Sequence, residues 1–353
     1  MKRTSILLLI LFTFVASAAW PQVPACRKHK IITFDAPGAG TGANQGTSPI
    51  GIVIGGWIVG SYIDSNNVSH GFLRSPEGRF TKVDPPGSQY TAAYGMNWEL
   101  AITGLYVDKK NVVHGFLRTP GGKFTKVDFP GSPYTEAANI NSTGEINGAY
   151  ADSNGAYHGF VRDRDGTITS FDAPDAGTGS GQGTADTYFE GLNDAGAITG
   201  GYIDSNGVNH GFVRAPDGTI TEFDPPGSQY TWSVGINGWG ATTGPYLDSA
   251  GVYHGFVRAP DGTITSFDAP NTQVTWPGFI DPWGAILGDT TDVNGADHGF
   301  LRTPDGNFVM FDVSGTGTSS NQGTIPAASN PEGAIVGTYI DGSNVSHGFL
   351  RMP

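Results

Sequence analysis

From Ile31 to Arg351 short runs of apolar and β-branched residues alternate with clusters of Gly, Asn, Asp, Pro and Ser, and no segment carries a helical period. The order of these runs repeats. It is plainest between Tyr202 and Asp224, where Tyr-Ile-Asp, His-Gly-Phe-Val-Arg and Thr-Ile-Thr-Glu-Phe-Asp are separated by Ser-Asn-Gly and Pro-Asp-Gly. The repeated histidine stands at 70, 114, 158, 210, 254, 298 and 347, so successive copies lie 44 to 52 residues apart. Four strand-like runs per unit at that period predict an all-β chain, a seven-bladed β-propeller of four-stranded blades. In the fifth unit the runs are strand A at Thr231–Ile236, B at Ala241–Asp248, C at His254–Arg258 and D at Thr263–Asp268. Gly-containing turns join B to C and C to D, as hairpins require.

The two ends of the repeat region complement each other. Ile31–Asp35 matches a D strand with nothing before it, and His347–Arg351 matches a C strand with no D strand after it. A ring in which the N-terminal strand completes the last blade removes both unpaired edges, so residues 31–353 are expected to form one closed propeller.

Counting outward from the two turns puts Tyr202 opposite His210 and His210 opposite Asp224. The same count gives Tyr62, His70 and Asp84, then Tyr106, His114 and Asp128, and, across the chain ends, Tyr339, His347 and Asp35. The sixth unit departs, with Thr290 in place of the tyrosine. An imidazole can donate to the carboxylate from one nitrogen and accept from a phenol at the other, so each row is expected to fix strand register. Read instead as chemistry, the rows would be seven acid-base dyads, and a single reaction does not need seven copies around a ring. A second aspartate opens each B–C turn (Asp64, Asp108, Asp152, Asp204, Asp248, Asp292, Asp341). It suits an Asx turn; calcium is the alternative there, without the alternating carboxylates of a calcium loop, and no other cofactor or metal is implied.

The units, Gly-x-Tyr-x-Asp, then His-Gly-Phe-Leu/Val-Arg, then Phe-Asp or Val-Asp, resemble the bacterial extracellular HAF repeat family, named for its His-Ala-Phe signature. The resemblance covers nearly all of the chain after its leader, with Gly in place of Ala in every copy. It implies export and a repeated β architecture, and it carries over no catalytic residue.

Composition and leader sharpen the setting. Lys2 and Arg3, the apolar run Ile6–Val15 and Ala16-Ser17-Ala18 form a secretory signal pattern over residues 1–19, followed by a flexible lead at 20–30. Secretion, extracellular or periplasmic, follows. No later segment approaches the roughly 20 apolar residues of a membrane span. Without Lys2 and Arg3, 17 basic residues face 32 acidic ones. That balance argues against nucleic acid and anionic membranes as partners. Cys26 is the single cysteine, so no internal disulfide is possible. A monomer is expected.

In a ring of near-identical units, a ligand site belongs where the units differ. Each strand A is read as opening on a threonine, Thr47, Thr91, Thr135, Thr187, Thr231, Thr275 and Thr324, and the next residue varies: Ser48, Ala92, Glu136, Tyr188, Trp232, Trp276 and Ile325. Tyr188, Trp232 and Trp276, with Glu136 and Glu190, are the candidate ligand-binding residues at the mouth of a central channel; inter-blade packing is the alternative. Tyr90, Tyr134 and Tyr230 precede the column in D–A loops, and Trp98, Trp239 and Trp283 mark the opposite face. The D–A connections Ala39–Thr47, Ala176–Thr184 and Gly315–Thr324 are longer and all end in Gln-Gly-Thr, reading as flexible spacers or binding loops.

Aromatic rings beside carboxylates suit a sugar, whose C–H faces stack while its hydroxyls need acceptors. A non-catalytic propeller binding a glycan or an extracellular protein is therefore the leading expectation. A polysaccharide lyase or glycoside hydrolase, with Glu136 and Glu190 as acid-base pair, and a structural envelope or matrix protein are the alternatives.

Overall fold

A computed structural model describes residues 29–185, 191–270 and 272–353. The signal pattern, Cys26, Thr187, Tyr188 and Glu190 lie outside the described residues. Every regular element among those described is a β-strand. The strands form antiparallel sets of four, as in Gly46–Ile52, Ile58–Ile63, Ser69–Arg74 and Phe80–Val83, hereafter A to D of unit 1. Unit 5 has a split A strand, Tyr230–Thr231 and Gly235–Ile236. Pro245 stands opposite Trp232 there and has no N–H to return the bond that its carbonyl accepts from Trp232 at 3.0 Å.

The last unit contributes Gly323–Ser329, Ile335–Ile340 and Ser346–Arg351, and its outer partner is Ile31–Phe34 from the other end of the chain. Ile31 pairs with Arg351 and Phe34 with Gly348. The Met352 N–H donates to the Lys30 carbonyl at 2.8 Å, which carries the ladder into the segment read as lead.

Within a unit, the Phe of His-Gly-Phe is the largest core residue: Phe72, Phe116, Phe160, Phe212, Phe256, Phe300 and Phe349 are all fully buried. The glycine before it sits under the D strand. A Cβ on Gly115 would come within 2.5 Å of the Val127 carbonyl oxygen, and one on Gly159, Gly255 or Gly348 within 2.5 Å of the D-strand Phe ring. Ala could not stand at these positions without a shift of the D strand or of its Phe ring. The uniform Gly thus follows from packing.

Units are joined in two layers. The Arg that ends strand C lies over the D-strand Phe of the unit before it: Arg214 over Phe171, Arg258 over Phe223, Arg302 over Phe267, Arg351 over Phe311 and Arg74 over Phe34, at 4.6–5.0 Å from the ring centres. At the A–B turns an amide ladder runs from unit to unit. Asn97 donates to the Asn141 carbonyl, Asn141 to Asn193, Asn193 to Asn237, Asn237 to Asp281, and Asn330 to Val53.

The Gln-Gly-Thr loops are pinned, contrary to a reading as flexible spacers. Gln45 accepts from the Gly42 N–H and donates to Asn67; Gln322 accepts from Ser319 and donates to Asn344; Gln182 accepts from Gly179 and donates to the Ser205 carbonyl. Each loop is thereby tied to the B–C turn of the unit it enters.

Candidate functional site

The histidine rows are built by register. Tyr62 faces His70, Tyr106 faces His114, Tyr202 faces His210, Tyr339 faces His347, and Thr290 faces His298. The Nδ1–H of each His donates to the aspartate just beyond the D strand at 2.7–3.0 Å, through the pairs His70–Asp84, His114–Asp128, His158–Asp172, His210–Asp224, His254–Asp268, His298–Asp312 and His347–Asp35.

The other nitrogen departs from the expected phenol contact. Nε2 faces the aspartate of the B–C turn at 3.3–3.8 Å, Asp248 being nearest. The tyrosine stacks on the imidazole face instead, ring centres 4.9–5.2 Å apart. Its hydroxyl passes beyond the ring to the D strand, as Tyr150 does to Ser170 and Tyr246 to Ser266. Counting register gives which residues are opposite; it does not give ring tilt, and the tilt takes the hydroxyl past the imidazole.

The turn aspartate is fully committed. One oxygen of Asp64 accepts the N–H groups of Asn66 and Val68, and the other faces His70; Asp108, Asp152, Asp204, Asp248, Asp292 and Asp341 repeat the pattern. These bonds hold the carboxyls of Asp64 and Asp108 below the usual carboxylate range, against the opposing effect of desolvation. Among the described residues no cluster of three or more His, Cys, Asp or Glu side chains is arranged to hold a metal. The carboxylates at the turns are spent on the fold.

Unit 6 breaks the row. With Thr290 where the ring would be, a groove of about 350 Å³ opens beside His298, bordered by Thr272, Asp292, Met310 and Asp312. The His298 side chain is 35% exposed, against 11–23% for the other six.

A larger cavity, about 450 Å³, lies along the inner strands of units 5, 6, 7 and 1. Trp232 and Trp276 both line it, with Tyr230, Asp289, Ile325 and Pro326 among its other walls. Tyr230 packs beside Trp232 with ring centres 6.0 Å apart, and Trp276 beside Tyr253 at 5.2 Å. The aromatic column and the cavity therefore coincide at two of the expected residues. Glu136 is not part of this wall: it is buried, and the Tyr134 hydroxyl donates to it at 2.5 Å.

The column needs one correction. Thr184, not Thr187, stands opposite Tyr202 as Thr47 stands opposite Tyr62, so the varying residue of unit 4 is Ala185 rather than Tyr188. Nine positions separate Thr184 from Asn193 where six separate Thr324 from Asn330, so unit 4 carries three extra residues in this stretch. The Gln182-Gly183-Thr184 triplet, shared with Gln45-Gly46-Thr47 and Gln322-Gly323-Thr324, is the signal that identifies the right threonine.

Asp289 is the residue that sequence reasoning missed. It stands opposite Trp276, at the strand B position that holds Ser61, Leu105, Ala149, Gly201 and Thr338 in other units. The signal was available: it is the one carboxylate in that column, one residue before the broken row at Thr290. On the opposite face Trp98, Trp239 and Trp283 are exposed near the A–B turns.

No protein-family model matches the chain, and no curated protein is similar to it in sequence. Solved structures share its fold. The β-propeller domain of the Trilobed protease from Pyrococcus furiosus matches with a TM-score of 0.56 at 7% identity, over 86% of this chain and 95% of that one. The BP39L lectin from Burkholderia pseudomallei matches with a TM-score of 0.50 at 11% identity, over 85% of this chain and 96% of that one. TolB from Acinetobacter baumannii matches with a TM-score of 0.48 at 12% identity, and this chain spans 63% of its length. The fold is a β-propeller.

Proposed function

We propose that the chain is a secreted, non-catalytic, monomeric propeller of seven blades, closed by its N-terminal strand, that binds a glycan or an extracellular protein at the cavity between Trp232 and Trp276. The observation that carries this reading is the placement of both tryptophans and Tyr230 on one cavity of about 450 Å³. That size falls within the range of small-ligand sites. Flat aromatic walls with few polar groups suit the C–H faces of a sugar. A lectin shares the fold, which offers precedent for a sugar on such a scaffold. Ring closure draws support from the pairing of Ile31–Phe34 with the last strand, from Arg74 over Phe34, and from the Asn330 amide bond to Val53. Export draws on the signal pattern, and membership of the HAF repeat family on the His-Gly-Phe units. No helix among the described residues is long and apolar enough to cross a membrane.

The reading is tested with a polysaccharide panel scored both for retention of the protein and for release of reducing or unsaturated ends. Retention without product is expected. Product release would replace it with a lyase or hydrolase.

A further inference from the structure

The cavity wall is apolar apart from a few groups, and one of those has no evident structural purpose. Asp289 of strand B of unit 6 lines a space shared with Trp232, Trp276, Tyr230 and Ile325 and, as its polar members, Ser48 and Thr338. Its carboxyl is met by its own backbone N–H and by no other protein donor among the described residues. The corresponding positions in other units hold small or apolar residues, so the propeller does not need an acid here. Asp289 is partly exposed toward the cavity, and a carboxyl set among apolar walls ionises less readily unless a cation pairs with it.

We infer that Asp289 selects a glycan bearing a free ammonium group, a 2-amino-2-deoxyhexose unit whose C–H face lies on Trp232 or Trp276 while its ammonium pairs with the Asp289 carboxylate. This rests on the reading of the cavity as a glycan site and narrows it to a class. An ammonium supplies a countercharge and further donors to the ionised carboxylate, and tryptophan faces favour a cation in addition to the C–H surface. A hydroxyl or an acetamide at the same carbon offers a neutral donor only, so neither favours the ionised carboxylate as a cation does.

Proton linkage supports the same assignment. Burial, with the Asp297 charge added, pushes the Asp289 carboxyl up to about 8. Asp297 is the charged neighbour acting on it, and Tyr230, pushed up to about 12 by burial and Tyr253, is the only other titratable group on the wall among the described residues. Without a cation beside it, the carboxyl therefore favours its neutral form. An entering ammonium favours the ionised form and expels that proton to solvent, so binding should release protons and weaken as pH falls.

The test compares three β-1,4-linked trisaccharides that differ only at carbon 2: the glucosamine trimer, its fully N-acetylated form, and the glucose trimer. Isothermal titration at pH 7 in two buffers of different ionisation enthalpy should give at least about tenfold tighter binding for the glucosamine trimer, with proton release. Asp289→Asn should remove that preference while leaving the other two sugars within about twofold. Equal binding of all three overturns the amino-sugar assignment and leaves the glycan site standing. A preference that survives in Asp289→Asn also overturns it, because attraction to the acidic surface then accounts for it. Binding of none of the three overturns both.

Discussion

The Nδ1–H of His347 donates to Asp35 at 3.0 Å, although 312 residues separate the two along the chain. The contact sits at the end of a four-residue ladder between the first and last strands, which Arg74 backs by lying 4.6 Å from the centre of the Phe34 ring. A protein lacking residues 29–35 would lose the ladder, the ring under Arg74 and the seal over the Ser346–Arg351 edge. Its melting temperature should fall by the equivalent of several kcal/mol, and the exposed edge should promote association. Thermal unfolding with light scattering checks both. A truncated protein that melts with the full chain would show that the fold does not depend on this strand.

The rows are graded by burial, and their energetic contribution should follow. His114 is the most enclosed of the seven and His298 the most open. His114→Ala leaves Asp128 and Asp108 without their shared donor and should cost about 2–3 kcal/mol. His298→Ala, with solvent already at the ring, should cost about 1 kcal/mol or less. Chemical denaturation of the two variants measures the difference.

Thr290→Tyr should restore the ring that six units possess. The groove beside His298 has room for it, and stacking of this kind is worth roughly 0.5–1.5 kcal/mol. A rise in melting temperature and loss of solvent access to His298 by NMR titration are expected. Met310 replaces the hydroxyl-bearing Ser170 and Ser266 of other units, so the phenol oxygen gains no D-strand partner, which sets an upper limit on the gain.

Stability should peak in mildly acidic solution. Burial alone would lower the pKa values of His254 and His298, but their hydrogen bonds to Asp268 and Asp248, and to Asp312 and Asp292, outweigh it and raise both above 6.5. A raised histidine stabilises fully below its unfolded value and loses that contribution as pH rises through the folded one. Asp64, Asp152, Asp204 and Asp292 are lowered from 3.8, first by the N–H four residues on, so their contribution is lost as pH falls through the lowered values. Melting temperature against pH should form a plateau between about pH 4.5 and 6.5. His254→Gln should flatten its alkaline side.

Much of this was legible in the sequence, for a definite reason. The B–C and C–D hairpins have short turns of fixed length, so residues can be counted across them, and Tyr202 opposite His210 follows from Ser-Asn-Gly alone. Strand A resists such counting. Its register shifts at a bulge between Pro49 and Gly51, Ala137 and Asn139, Pro277 and Phe279, and Pro326 and Ala328, so which side chains face inward beyond the bulge is not fixed by the turn. With three additional residues in unit 4, spacing alone points to Thr187, while the pairing with Tyr202 belongs to Thr184. Trp232 and Trp276 were found because they precede the bulge and interrupt the repeat. Asp289 was not, because a single acid in a strand B carries no local pattern; only its position opposite Trp276 gives it meaning.

The central claim is that the repeated residues carry the fold and the unrepeated inner column carries the ligand. The most direct measurement is the binding isotherm of the Trp232→Ala, Trp276→Ala protein on a glycan retained by the parent, with melting curves recorded for both. Retention should weaken by at least about tenfold, as loss of two stacking faces implies, while the melting temperature moves by only a few degrees. An isotherm that superimposes on that of the parent would contradict the claim.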